Sequence, residues 1–250
     1  MAAQGRDVYG NSREKQACIW RARRHDRYLE FFGLGLGRLM LPSGSAYTLQ
    51  KIYTGNKMEE ITVDDLEESG IDYDFYNGPS DIAQKLEPGK ILCILFPGTS
   101  LEETRFYSDL FVALVNRRSQ DFVHLAIDEA GDIIPPYNTD SYKVQKQFVD
   151  ATGDFRKTLI NSIFASHAYT DLDYRILPKL PYHIYKRGAQ KIHSDTRKLK
   201  QDTINDTKVN ESWWTNGAFF DKLIFPAMET EARLDFRLQT VARTMTVETE

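Results

Sequence analysis

Residues 122–136 read Phe-Val-His-Leu-Ala-Ile-Asp-Glu-Ala-Gly-Asp-Ile-Ile-Pro-Pro, a short apolar run that stops at two adjacent carboxylates, Asp128 and Glu129. Six residues of this kind are too few for a buried helix and fit a buried parallel strand. Such a strand delivers its acid pair to the carboxyl edge of a sheet, where open α/β folds bind their ligands. In an hhhhDE arrangement the Asp can hold a magnesium ion on a nucleotide, and the Glu can orient and polarise an attacking water. The alternative is a strand whose polar end is simply acidic.

Working outward on both sides, the same plan repeats. Lys90–Phe96 (KILCILF) is a continuous apolar strand, and Thr99–Arg118 follows as a helix. Leu101, Phe106, Leu110, Phe111, Leu114 and Val115 fall at helical spacing as its core face, with Ser100 as the expected N-cap. Ser141–Arg156 is a polar helix, Thr158–His167 a strand ending in Ser166 and His167, and Tyr182–Tyr185 a further strand entering Lys186, Arg187 and Gly188. Strand, helix and strand without a hairpin signal make βαβ units, whose strands run parallel. The runs 91–96, 122–127, 160–165 and 182–185 are therefore expected as neighbours in one mostly parallel sheet.

The flanks are less regular. Residues 5–12 (GRDVYGNS) have the glycine spacing of a phosphate-binding loop, Gly5 to Gly10, followed by Ser12. Asn11 stands where the lysine of GxxxxGK[ST] would reach the β and γ phosphates. Only four residues precede Gly5, whereas a phosphate loop follows a buried strand, so taken alone the stretch reads better as an ordinary turn. Ser12–Arg27 is expected as a helix. Glycines 33, 35 and 37 mark a turn between two strands, and the acidic run 59–76 is read as a solvated face. Residues 189–216 form a polar segment, and 217–225 is expected to pair with the alternating Leu234, Phe236 and Leu238. These elements make one α/β domain over 1–250, with its core at 80–190 and C-terminal strands over 217–250.

Composition narrows the class. A chain of 250 residues with 41% hydrophobic content builds a packed core. A net charge of -4 gives no whole-chain basic signal, so nucleic-acid contact would come from local patches or from a ring of subunits. Cys18 and Cys93 sit in apolar surroundings and read as small buried hydrophobes, which fits a reducing compartment. No run approaches about 18 apolar residues and the N-terminus lacks the plan of a signal peptide. The expected location is cytoplasmic, with no membrane span.

Taken together, the order of IDEAGDIIPP, a helix ending in DFRKT, a strand ending FASHAYTDLDYRILPKL and a strand entering YKRGA resembles the HerA/FtsK group of RecA-like P-loop ATPases. That group includes conjugative coupling ATPases, DNA translocases and viral genome-packaging motors, and the resemblance covers roughly residues 80–190. It implies a RecA-like fold with a mostly parallel central sheet flanked by helices and a small C-terminal β extension. The implied ligands are ATP and Mg2+. Implied partners are DNA, further copies of the chain in a ring such as a hexamer, and membrane or virion proteins.

Carried over by residue, the resemblance makes Asp128 the magnesium-side acid and Glu129 the general base. Ser166 or His167 senses the γ-phosphate, and Arg156 or Arg187 is the arginine finger that completes a neighbour's site. Gly5, Gly10, Asn11 and Ser12 would cradle phosphate, with Ser12 also reaching the metal. The departures are the degenerate loop and His167 in place of the usual glutamine. Two readings follow: an ATP-driven DNA motor subunit, or an ATPase-like module kept for assembly or partner binding. Retention of both acids favours the first, and Asn11 the second. A phosphate loop contributed by sequence outside these residues would reconcile them. With Asn11 alone, loss of the lysine contact costs on the order of 3 kcal/mol, or about a hundredfold in rate, so hydrolysis is expected to be poor.

Overall fold

The computed structural model describes residues 16–22, 29–44, 47–53, 57–119, 121–136, 142–189, 199–224 and 236–242. In chain order the elements are β1 (Gln16–Arg21), α1 (Glu30–Gly33), β2 (Gly37–Pro42), β3 (Tyr47–Tyr53), β4 (Met58–Ile61), α2 (Asp64–Glu68), β5 (Tyr73–Tyr76) and α3 (Pro79–Gln84). They continue with β6 (Ile91–Ile94), α4 (Ser100–Val115), β7 (Phe122–Ile127), α5 (Tyr142–Asp154), β8 (Ile160–Phe164), β9 (His183–Lys186), α6 (Gln201–Asn205), β10 (Glu211–Thr215), β11 (Phe220–Ile224) and β12 (Phe236–Ala242). The described residues fall into two compact units, one drawn from 1–127, 154–163 and 230–250, the other from 128–153 and 164–229.

The first unit is organised by a six-stranded sheet of order β5-β2-β6-β1-β7-β8. Its registers are parallel, with β1 pairing β6 and β7, and β2 pairing β5 and β6. The Val123 N–H donates to the Leu159 carbonyl as β7 and β8 begin, and the Ala130 N–H donates to Ala165 just after they end, so β8 is parallel as well. This is the α/β, mostly parallel sheet with helices that the apolar runs predict.

Burial explains the central strands: Ile19, Leu39, Met40, Leu41, Leu92 and Cys93 are all at or below 1% exposure. The amphipathic α4 buries Phe106, Tyr107, Leu110, Phe111 and Leu114, whereas Leu101, expected on the same face, is exposed in the first turn. The Phe106 ring packs, tilted, with its centroid 4.9 Å from that of Phe96 and 5.4 Å from that of Tyr76. The helix starts in a capping box at Thr99, one residue before the expected Ser100, with the Glu102 carboxylate accepting the Thr99 N–H at 2.8 Å. A smaller antiparallel sheet, β12-β3-β4, completes the unit.

Four sequence expectations are corrected. Gln16–Arg21 is the strand β1 rather than part of a helix over 12–27. Its apolar kernel Ala17-Cys18-Ile19-Trp20 sits between charged residues that imitate an amphipathic helix. The turn containing Gly35 joins α1 to β2, not two strands. His183–Lys186 is not in the parallel sheet: β9 pairs antiparallel with β10, which pairs with β11, in the second unit. That places a strand, Glu211–Thr215, inside the segment read as polar. Finally, β11 does not pair with the C-terminal strand, because β12 lies on β3 from Phe236↔Tyr53 to Ala242↔Tyr47. Both cysteines are buried free thiols, as their surroundings predict. Burial pushes the Cys18 thiol up to about 12 and that of Cys93 up as well.

Candidate nucleotide site

Chain geometry puts Asp128 and Glu129 directly after β7, and Ser166 and His167 just after its neighbour β8. Residues 128–153 and 164–229 belong to one unit, and within it the two loops are joined by short contacts. The backbone turns sharply at Glu129, whose φ of 45° and ψ of 51° lie in the left-handed region. Among the described residues only Glu129 and Leu159 do this without being glycine. A bulky side chain in that region costs on the order of 1–2 kcal/mol, and such strain gathers at functional turns.

Several bonds hold the turn. The Asp128 carboxylate accepts the Glu129 N–H at 3.0 Å, which fixes its rotation. The Ala130 N–H donates to the Ala165 carbonyl at 2.7 Å. Gly131 is required by close approach, since a Cβ there would meet the Asp171 Cβ at 2.9 Å and its carbonyl oxygen at 3.0 Å. Ala130, Ile133 and Ile134 are fully buried, so the turn is anchored by its own apolar residues.

Across the seam, the 165–176 loop is braced by two aspartates that the sequence shows only as DLD. The Asp171 carboxylate accepts the Ala168 N–H at 2.9 Å, while the Ser166 hydroxyl donates to the Ala168 carbonyl at 2.9 Å. Asp173 is 0% exposed. It accepts the Arg175 N–H at 2.9 Å and Nε at 3.0 Å, with Nη2 at 2.5 Å, and this hydrogen bonding holds the guanidinium pKa above its usual value. The Asp173 N–H donates to the Ile134 carbonyl at 3.1 Å, tying the loop to the turn after β7.

The two strand ends therefore converge. His167 Nε2 lies 3.9 Å from Glu129 Oε1, with side chains 89% and 42% exposed. At that distance, and with both side chains this exposed, the contact contributes little to stability. Of the two sensor candidates, Ser166 bonds within its own loop and His167 faces Glu129. Arg187 is exposed beyond β9, and Arg156 is exposed in the 3-10 turn Phe155–Thr158 of the first unit. Gly5, Gly10, Asn11 and Ser12 lie outside the described residues. Only residues 13–15 separate Ser12 from β1, fewer than the helix that follows a phosphate loop would need.

The donor chemistry suits magnesium. Mg2+ takes one or two carboxylates and completes its shell with water and phosphate oxygens, which a single Asp128 at a strand end allows. The described residues contain no cluster of three or more His, Cys, Asp or Glu that would bind an ion unaided. No described helix is long and apolar enough to cross a membrane.

No protein-family model matches the chain, and no curated protein does. Solved structures that it resembles are those of the genome packaging NTPase B204 from Sulfolobus turreted icosahedral virus 2. The complex with AMPPCP has a TM-score of 0.47 at 10% identity, over 86% of this chain and 100% of that one. The complex with sulfate gives 0.47 at 12%, over 86% and 97%. The complex with ATP-gammaS gives 0.43 at 10%, over 83% and 96%.

Proposed function

We propose that this chain is part of an ATP-driven motor of the HerA/FtsK type that moves DNA, with Asp128 as the magnesium-side acid and Glu129 as the general base. The observation that carries this reading is the acid pair at the carboxyl end of β7, with Glu129 in a left-handed turn 3.9 Å from His167. A bound Mg2+ would neutralise phosphate charge. Asp128 would hold that ion, and Glu129 would orient a water and take its proton. His167, beside the base, would respond to the terminal phosphate. DNA, a ring of subunits and an arginine finger from Arg156 or Arg187 belong to the same proposal, supported by the order of motifs. A second reading, an ATPase-like module used for assembly, is favoured by one feature: Asn11 stands where the phosphate-loop lysine would be.

The test is magnesium-dependent ATP hydrolysis with DNA present, by the unaltered chain, Glu129→Gln and Asn11→Lys. The motor reading predicts slow turnover that Glu129→Gln abolishes. Turnover indifferent to Glu129→Gln would sink it, and no turnover by any form would favour the assembly module. A gain of about a hundredfold on Asn11→Lys would put the phosphate loop at 5–12.

A further inference from the structure

The antiparallel sheet β11-β10-β9 of the second unit has one covered face and one open face. Side chains alternate across a strand, so Tyr185 and Trp213, opposite each other in register, share one face, and Ile184 and Trp214 share the other. On the first face Tyr185 is 6% exposed and packs with Leu199 and Ile204, and Trp213 lies against the same cluster. The second face meets solvent. Ile184 is 54% exposed, and Tyr182, just before β9, is 64% exposed. The Tyr182 ring belongs to this face, because its centroid lies 6.1 Å from that of Trp214 at an interplanar angle of 56°. Apolar and aromatic side chains gathered in the open on one face mark a binding surface.

Charge selects the partner. Lys186 continues the row Tyr182, Ile184, Lys186, is exposed, and pairs with no described acid. Lys222 of β11, by contrast, is on the covered face, bound to Glu211 at 3.1 Å with its ammonium 5.5 Å from the Trp213 ring. The acid on the open face is Asp221, opposite Trp214 in register, and its carboxylate is turned onto the Lys222 N–H at 2.7 Å. Around β9 the sequence is locally basic. Residues 179–200 include seven lysines and arginines and one acid, Asp195, in a chain whose net charge is -4. A protein partner drawn to Tyr182 and Ile184 by burial alone would not need that charge. A polyanion that also carries planar rings would use both, since bases stack on aromatic side chains while cations follow the phosphates. A duplex keeps its base faces stacked on one another, so only an unpaired strand can occupy such rings.

We infer that the open face of β9, β10 and β11 holds a single strand of nucleic acid, with bases stacked on Tyr182 and Trp214 and a backbone phosphate on Lys186. Such binding needs no ATP, so it stands or falls apart from the chemistry of Asp128 and Glu129.

The experiment titrates oligo-dT of about ten nucleotides into the full chain without ATP, reading both tryptophan fluorescence and the anisotropy of a labelled oligonucleotide. Binding should quench the fluorescence. Trp214→Phe keeps a ring, so it should hold most of the affinity and lose most of the quenching. Trp214→Ala and Tyr182→Ala should each weaken binding at least about fivefold. Tyr182 is exposed, so its variant reports on the strand even where Trp214→Ala fails to fold. Lys186→Gln should lower the slope of log affinity against log salt by about 0.7, the value of one phosphate contact on a single strand. A duplex of the same length should bind at least about tenfold more weakly, and Glu129→Gln should bind the strand as the unaltered chain does. No binding by the unaltered chain, full affinity in Tyr182→Ala, an unchanged salt slope in Lys186→Gln or equal affinity for the duplex would overturn the inference. So would a Tyr182→Ala chain that loses an oligomeric mass in solution while binding the strand unchanged, because the face would then be a contact between copies. Strand binding as described, with ATP turnover indifferent to Glu129→Gln, would uphold this site and overturn the nucleotide reading alone.

Discussion

Breaking the Asp173–Arg175 pair from its two sides should have unequal costs, and the structure says which is larger. Asp173 is the buried partner at 0% exposure, and the Arg175 side chain keeps 21%. Arg175→Met removes the Nε and Nη2 donors and leaves a buried carboxylate with little beyond the backbone N–H of residue 175. Uncompensated buried charges of this kind cost about 3–5 kcal/mol. Asp173→Asn keeps a carbonyl acceptor and leaves a guanidinium that can reach water, so about 1–3 kcal/mol is expected. Arg175→Met also removes the packing of the guanidinium 5.7 Å above the Tyr142 ring. Urea unfolding of the three proteins measures both values, provided the denaturant slope is unchanged. Equal costs, or a larger cost for Asp173→Asn, would refute the assignment of the acid as the desolvated member that braces the His167 loop.

Three further outcomes follow from local geometry. Gly131→Ala must displace Asp171, so it should destabilise by about 1–3 kcal/mol and speed exchange of the Ala130 amide, which native-state hydrogen exchange would detect. Thr99→Ala removes the capping box of α4 and should cost about 1 kcal/mol in a thermal or urea melt. Cys18 should contribute to alkaline stability alongside Cys93, whose thiol is raised as well. The folded pKa of Cys18 is raised, so its contribution is full below about 9 and is lost as pH climbs toward about 12, at roughly 1 kcal/mol per pH unit. Cys18→Ala should lessen that slope, leaving the part due to Cys93, and an unchanged slope would contradict the buried-thiol account.

Where the sequence was legible, the signal was local. The runs 91–94, 122–127 and 160–164 are short, apolar and separated by helical spacing, so β6, α4, β7, α5 and β8 could be read along the chain. The acid pair could be read too, because Asp128 interrupts an apolar strand abruptly. What could not be read depends on distant partners. The amides of Gln50 and Gln239 bond at 2.7 Å, and nothing near either residue announces the other. The strand β9 looks like its parallel predecessors in composition, yet it joins Glu211–Thr215 because pairing is decided by contacts made far along the chain. The left-handed turn at Glu129 has no composition cue, since the position is not glycine. Gly131 was visible in the sequence, but the need for it comes from Asp171, forty residues on.

The central claim, that Asp128 holds the metal of a nucleotide while Glu129 acts on water, is tested most directly by titrating Mn2+-ATP and following the bound ion by paramagnetic resonance. The account predicts that the unaltered chain and Glu129→Gln bind alike, and that Asp128→Asn binds at least about tenfold more weakly, or roughly 1.4 kcal/mol. Equal affinity in all three proteins, or weakening by Glu129→Gln alone, would contradict it.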